Sequence, residues 1–191
     1  MPQGITHADA LIEQVEAPDT SLPDSARTVL AALVGTYRAL DVQVGELDVE
    51  IARRAKADPV ARRLMTVPGV GPVLATAVTA LVATPEGFRA GRDFAAWLGL
   101  VPVQRSSGGK EKLGAVSKRG ERTIRRLLIL GASAVIRWAA HRGAPAGSWL
   151  AGMLARKPRM LVTVALANKT ARIVWALLVK GGVYRAPAAA A

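Results

Sequence analysis

The sequence is poor in the residues that build disulfide bridges and metal centres. Its 191 residues include no cysteine and only two histidines, His7 and His141, which lie far apart in the chain. Disulfides and cysteine-rich metal sites are therefore excluded, and a histidine-based zinc site is not expected. Aromatic residues make up only 4%, but 51% of the chain is apolar. That fraction can bury a sizeable core, in one domain or two small ones, and argues against wholesale disorder.

Acidic residues are almost missing from the second half of the chain. Residues 1–24 contain five acids and no base, whereas residues 101–191 contain 17 bases and only two acids, Glu111 and Glu121. The net charge of +12 is therefore carried entirely by residues after position 100. A basic solvated surface is one interpretation. So many positive charges on so short a stretch would repel one another, which favours a second interpretation, a polyanionic partner such as nucleic acid.

Neither a membrane span nor a signal peptide is expected. The longest uncharged run, residues 64–85, is interrupted near its start by the turn PGVGP (68–72). That leaves about a dozen residues of continuous helix, too few to cross a bilayer. The N-terminal residues lack a basic region followed by an apolar stretch. The sequence thus predicts a cytoplasmic protein with no membrane partner.

The hydrophobic spacing predicts an all-α fold, since no segment shows a convincing strand-like alternation. Residues 1–24, acidic and interrupted by proline and glycine, are predicted to form a flexible leader. A long helix is expected over residues 25–57, with Asp24 or Ser25 as its N-cap. Residues 58–185 are predicted to form a compact helical domain, and residues 186–191 a disordered tail.

The long helix carries apolar residues at alternating spacings of four and three. The series is Ala26, Leu30, Leu33, Tyr37, Leu40, Val44, Leu47 and Ile51. This spacing is typical of a heptad seam, so residues 26–51 are predicted to pair in a coiled-coil hairpin or a homo-oligomer. An ordinary amphipathic helix on a globular core is the alternative. Gly35 and Gly45 each lower the helix propensity by roughly 1 kcal/mol, so packing must supply the stability.

Residues 64–83 have the pattern of a helix-hairpin-helix element. A short helix is followed by the turn VPGVGP (67–72) and a second helix. Gly69 and Gly71 would let the backbone approach a phosphate, and the free amides of the next helix would bind it. A turn between two packed helices, with no ligand, is the alternative.

The most basic part of the chain follows. Residues 104–120 are predicted to form a loop rich in Ser, Gly and basic residues, and helices are expected near residues 121–141 and 160–180. In the first of these helices, residues such as Leu128 and Trp138 are expected at the apolar positions, and the arginines are expected largely on another face. Together with the glycine turn, this region supplies the candidate nucleic-acid contacts: Gly69, Gly71, Arg105, Gly108, Gly109, Lys110, Lys112, Lys118, Arg119, Arg122, Arg125 and Arg126.

Four sequence blocks in this region carry a family resemblance. They are MTVPGVGPVLA (65–75), FAAWLGLVP (94–102), SSGGKEKLGAVSKRGERTIRRLL (106–128) and ALANKTARIVWALLVKGGVY (165–184). By the order and spacing of these blocks, residues 64–184 resemble the C-terminal domain of the insertion sequence 110/116/902 family of transposases. The helix before them is similar to the coiled-coil segment of that family.

The resemblance implies an RNA-guided transposase that cleaves and rejoins DNA through a serine. The nucleophile would be Ser107, which precedes Gly108, with Ser106 as the alternative. A serine phosphoester conserves the bond energy, so strands could be rejoined without ATP. Positive side chains would stabilise the charge that develops on the phosphate. The nearby candidates are Arg105, Lys110, Lys118 and Arg122.

One part of the family pattern is missing. Family members also carry a ribonuclease-H-like domain with four metal-binding carboxylates, to which nothing in this sequence corresponds. We therefore expect no metal ligands and no cofactor in this chain, and a divalent ion such as Mg²⁺ would belong to the missing domain. The chain would then be truncated and inactive alone. Two other functions remain open: a nucleic-acid-binding module that breaks no bond, and an assembly element that modulates a full-length transposase.

Overall fold

The computed structural model describes residues 7–17, 22–105, 109 and 113–186. They form eight α-helices and one two-stranded sheet. The chain divides into two compact units, Met1–Glu50 and Ile51–Ala191, which are described separately below. The mostly helical fold predicted from the sequence is confirmed. The expected tail, residues 186–191, lies outside the described residues apart from its first.

The first unit contains a helix within the segment expected to be a flexible leader. This helix, α1, spans Ala8–Glu16. The Glu16 carboxylate accepts two hydrogen bonds from the Arg38 guanidinium, at 2.7 and 2.9 Å. A nine-residue helix is marginal on its own, so a partner outside its own sequence must help to hold it. The leader prediction is corrected here, because the proline and glycine content of residues 1–24 said nothing about that distant arginine.

The predicted long helix is present as α2, Asp24–Ala57. Four residues of the heptad series lie on its exposed surface, with exposed fractions of 55–60%: Leu33, Leu40, Val44 and Leu47. Near the other end of α2, Ala55 is buried in the core of the second unit. The apolar seam is therefore uncovered over its middle part, and pairing with a second helix stays a prediction.

The second unit begins with three short helices and one tight turn. Asp58 caps α3 by accepting a hydrogen bond of 2.7 Å from the backbone N–H of Val60. A 3₁₀ turn, Pro85–Gly87, then leads towards the aromatic cluster of Phe88, Phe94 and Trp97, whose ring centroids lie 5.3–5.7 Å apart. The helices are α3, Pro59–Leu64; α4, Pro72–Leu81; and α5, Gly91–Trp97.

A small hairpin replaces part of the predicted loop. Strand β1, Pro102–Gln104, pairs antiparallel with β2, Leu113–Val116, with Pro102 opposite Val116 and Gln104 opposite Leu113. Strands of three and four residues are too short for a periodicity of two to stand out in the sequence. Because Gln104 pairs with Leu113, the hairpin holds the two ends of segment 105–112 close together. The loop predicted over residues 104–120 would not impose this closeness.

Three helices complete the unit. They are α6, Arg122–Arg142; α7, Trp149–Leu154; and α8, Arg159–Lys180. Helix α8 packs against α3, α5, α6 and α7, and Ala167, Ala171 and Val174 lie fully buried on it. Within the part of the chain that the structure describes, α8 is also the one helix long and apolar enough to cross a membrane. Its buried face lies in the core of this unit.

Candidate nucleic-acid interface

The predicted nucleophile belongs to the segment that joins the two hairpin strands. Ser106, Ser107, Gly108, Lys110 and Lys112 lie outside the described residues, so their predicted roles stay predictions. Two flanking positions are described. Arg105 is exposed directly after β1, and its side chain lies along Gly114, with Nε 3.3 Å from the position that a Cβ on Gly114 would take. Gly109 is exposed and has a positive φ of +79°. The hairpin thus holds one arginine at the edge of the serine segment.

The segment after β2 packs tightly on the C-terminal end of α5. A Cβ on Gly120 would overlap the Trp97 carbonyl oxygen, and a Cβ on Gly99 would overlap the Arg119 carbonyl oxygen. Both glycines have positive φ, of +80° and +69°. The backbone N–H of Lys118, itself at φ +55°, donates to the Gly99 carbonyl at 3.2 Å. Glycine is therefore required at both positions for the two backbones to meet.

Arg125 connects this junction to α6. Its Nη1 donates to the carbonyl oxygens of Leu98 and Arg119, at 2.9 and 3.1 Å. A longer hydrogen bond of 3.4 Å reaches the Glu121 carbonyl. Because one guanidinium nitrogen serves three backbone oxygens, Arg125 positions the junction. Its predicted contact with DNA would have to use the other nitrogens.

The other predicted basic contacts around the start of α6 face solvent. Exposed side chains belong to Lys118, Arg119, Arg122 and Arg126. Two backbone amides of the first turn are already occupied, since the Glu121 carboxylate accepts from Thr123 at 3.0 Å and from Ile124 at 2.6 Å. This end of α6 can therefore attract phosphate through its side chains but not through those two amides.

The two glycines of the predicted helix-hairpin-helix turn have different surroundings. A Cβ on Gly69 would lie 2.8 Å from the Gly131 carbonyl oxygen, on α6. Gly71 has open space around the corresponding position and precedes α4 without a side-chain cap. Internal packing thus accounts for glycine at position 69. At Gly71 the backbone remains open to a ligand, and phosphate binding there stays a prediction.

A broad apolar cleft of about 1380 Å³ lies beside the hairpin. Its lining includes Val116 of β2 and three basic residues that were not among the predicted contacts: Arg92, Lys169 and Arg172. The Lys169 ammonium lies 4.5 Å from the centre of the Trp149 ring, as in a cation–π pair. The spacing of three between Lys169 and Arg172 on α8 was a visible signal for two of these residues. No sequence signal pointed to Arg92, because it lies on α5 and comes close to α8 only when the two helices pack together.

The residues described here do not fit a metal centre. Across residues 7–17, 22–105, 109 and 113–186, no three His, Asp or Glu side chains are close enough to hold one ion.

The geometry defines a basic, mostly helical domain in which a short hairpin leads into an arginine-rich helix. Residues 61–145 match the model of the transposase IS116/IS110/IS902 family. The chain thus carries a transposase domain of this family, and the resemblance seen in the sequence blocks is confirmed at that level. The matched region contains the glycine turn, the hairpin with its serine segment and the whole of α6.

Individual transposases are similar over most of the chain. A protein named "Probable family 20 transposase" from Pseudomonas aeruginosa is 44% identical over 177 residues, which cover 92% of this chain and 52% of that protein. The transposase for insertion sequence element IS1328 from Yersinia enterocolitica is 34% identical over 184 residues, 96% of this chain and 54% of that protein. The transposase for insertion sequence element IS1111A from Coxiella burnetii is 40% identical over 159 residues, which cover 83% of this chain and 44% of that protein. The chain spans about half the length of the curated relatives it matches.

Proposed function

We propose that this chain is the DNA-binding, serine-bearing part of an enzyme that transposes an insertion sequence. The observation that carries the proposal is the transposase-family match over residues 61–145, which contains both the serine segment and the basic start of α6. Exposed Arg105, Lys118, Arg122 and Arg126 supply positive charge on both sides of that segment. Such a cluster favours a polyanion and is suited to phosphate contacts.

The proposed chemistry is a transesterification at a DNA phosphodiester. The Ser107 hydroxyl oxygen forms a bond to phosphorus, and the bond from phosphorus to one deoxyribose oxygen breaks. That oxygen leaves as a hydroxyl group and takes up the proton that the serine gives up. The reverse attack by a strand hydroxyl releases the serine, so cleavage and rejoining balance without an external energy source. Positive side chains next to the segment stabilise the charge on the phosphate oxygens during both steps.

The exposed apolar seam of α2 supports a second part of the proposal, a homo-oligomer. Leu33, Leu40, Val44 and Leu47 recur at heptad spacing and are more than half exposed. Pairing with the same seam of a second copy would remove these side chains from water, which is the driving force for a coiled coil. We also propose that a structured RNA directs the enzyme and that a carboxylate domain with its divalent ion is needed for cleavage. Both proposals rest on the sequence resemblance alone.

A non-catalytic nucleic-acid-binding or assembly module is the competing function. The two functions differ in whether a covalent protein–DNA adduct forms. Purified chain, alone and with a full-length relative whose own serine is replaced by alanine, is incubated with the RNA transcript of the element and a plasmid that carries the element and its flanks, and the reaction is stopped with detergent. An adduct at the element boundary supports the transposase function. DNA binding without an adduct in either mixture would establish the competing one.

A further inference from the structure

The outer face of α6 carries large apolar side chains that no other part of the described second unit covers. Leu130 is 54% exposed and Trp138 is 55% exposed. They lie eight residues apart, about 12 Å along the helix, with exposed Ala134 between them. The opposite face is buried in the core through Ile124, Leu128, Ala132, Ile136 and Ala139. Helix packing therefore explains the inner face and leaves the tryptophan unexplained.

This face is also uniformly positive or neutral. Residues 122–142 contain five arginines and no acid. Arg126 and Arg137 are exposed, and the Arg142 guanidinium lies 5.8 Å from the centre of the Trp138 ring. A second copy of the same face would meet it with like charge, which disfavours self-association here. The charge instead favours an anionic partner that also offers a flat apolar surface.

We propose that Trp138 is a stacking platform for an unpaired base of single-stranded DNA, with the α6 arginines binding the adjacent phosphates. In a duplex each base is already stacked on its neighbours, and separating two of them costs free energy, so an exposed indole stacks far more readily on an unpaired base. Arginine beside an aromatic ring is the combination that binds single strands without sequence preference. The tryptophan thus distinguishes single strands from duplex, which the arginines alone would not do.

The choice of DNA rests on the function proposed above. Helix α6 follows the junction that connects it to the hairpin of the serine segment. Trp138 lies about 24 Å along the helix from Arg122, at 1.5 Å per residue. A strand opened at the serine segment could follow the exposed arginines along α6 to this ring. An RNA strand or an apolar protein surface could contact the same side chains, and the experiment below distinguishes these two partners from single-stranded DNA.

The test measures equilibrium binding of the full chain, with no cleavage step. Three labelled ligands are compared at one salt concentration: a 20-nucleotide dT strand, the corresponding RNA strand and a 20-base-pair duplex. We expect Trp138→Ala to weaken binding of the dT strand by about tenfold, the scale of one lost base stack, and duplex binding by less than about twofold. Trp138→Phe should retain most of the affinity. Trp138→Leu should bind as weakly as the alanine variant, because it keeps apolar surface but no aromatic face.

Leu81→Ala is the matched control. Leu81 is also a large apolar side chain exposed on a helix of the second unit, at 49%, but it lies on α4 and is not among the predicted contacts. The Leu81→Ala variant should leave dT binding unchanged. Full affinity in Trp138→Leu, an equal loss for strand and duplex, or a loss confined to RNA would each overturn the proposal. So would self-association that disappears in Trp138→Ala while dT binding does not change.

The adduct experiment and this one can fail separately. If no adduct forms with or without the full-length relative but the Trp138 variants lose dT binding, only the transposase function fails. If the adduct forms and the Trp138 variants bind dT normally, only the stacking platform fails.

Discussion

The carbonyl oxygen of Gly69 occupies the place where a Cβ on Gly131 would lie, so the turn before α4 and the middle of α6 touch backbone to backbone. Both contact atoms belong to the main chain, and neither can rotate away. This contact fixes the glycine turn against the same helix that carries the basic side chains. Gly69 and Gly131 therefore have a structural role that needs no ligand.

Gly131→Ala should destabilise the second unit. Alanine would gain about 1 kcal/mol of helix propensity, but overlap with the Gly69 carbonyl should cost more, so we expect a net loss of roughly 1–3 kcal/mol. Urea unfolding followed by circular dichroism measures the change. Gly71→Ala is the control, since open space surrounds that position and its φ is −94°. Equal stability of the two variants would contradict the close contact.

Arg125 and Arg126 should have separable effects although they are neighbours. Arg125→Ala removes a charged donor from the Leu98 and Arg119 carbonyls, so we expect a loss of about 1.5–3 kcal/mol in the free energy of unfolding. Arg126→Ala should stay within about 0.5 kcal/mol of wild type, because its side chain is exposed, and should weaken DNA binding instead. Urea unfolding and duplex affinity are measured on both variants. The assignment fails if Arg126→Ala is the less stable of the two.

Duplex binding should depend steeply on salt. If about six phosphates are neutralised, affinity should fall roughly 10³-fold between 50 and 200 mM salt. Fluorescence anisotropy with a short labelled duplex gives the slope of log affinity against log salt. In Arg122→Gln/Arg126→Gln that slope should decrease by about 1.8, at roughly 0.9 per lost contact. A flat salt response in the wild-type chain would remove the electrostatic basis of the proposal.

The α2 seam should control the oligomeric state. Leu40→Asp/Leu47→Asp would place charges inside an apolar interface, where unpaired burial is costly, and should yield a monomer. Val42→Asp/Val49→Asp is the matched control, because these valines are 61% and 72% exposed on α2 but lie outside the heptad series. Light scattering at increasing concentration measures both variants. A wild-type chain that stays monomeric at high micromolar concentration would exclude the coiled-coil dimer.

Ser107→Ala should abolish the covalent adduct while leaving DNA affinity nearly unchanged, since it removes the nucleophile but no charge. The chain alone should form little adduct, and a full-length relative that supplies the carboxylate domain should raise the yield. Ser106→Ala is the paired variant. If it loses the adduct while Ser107→Ala keeps it, the nucleophile is Ser106. An adduct that survives loss of both serines would end the serine mechanism.

The sequence predicted those parts of the molecule whose structure follows from local pattern. The long helix appeared as α2, and the helices expected near residues 121–141 and 160–180 appeared as α6 and α8. Contacts between distant segments could not be predicted in this way. Helix α1 forms an ion pair with Arg38, 22 residues from Glu16, and the hairpin forms by pairing between two very short strands. Taken a few residues at a time, the sequences of α1 and of the hairpin are both typical of loops.

The same limit applied to the candidate site. Counting charges defined the basic region but could not divide its members by role. Arg125 and Arg126 are equivalent in the sequence, yet only Arg125 reaches the carbonyls of the α5 junction. Gly69 and Gly71 form one motif, yet only Gly69 packs against α6. In each pair, the residue that differs is distinguished by a contact with another part of the chain. The local spacing of residues cannot reveal such a contact.

The central position of α8 has a consequence for synthesis of the protein. The Trp175 indole N–H donates to the Pro85 carbonyl 90 residues earlier, and the Tyr184 amide donates to the Thr66 hydroxyl 118 residues earlier. While the chain is still growing, α3, α5 and α6 therefore have no surface on which to complete their core. The basic unit can complete its core only after α8, which ends at Lys180, has left the ribosome. Until then its apolar faces remain exposed to chaperones and to aggregation.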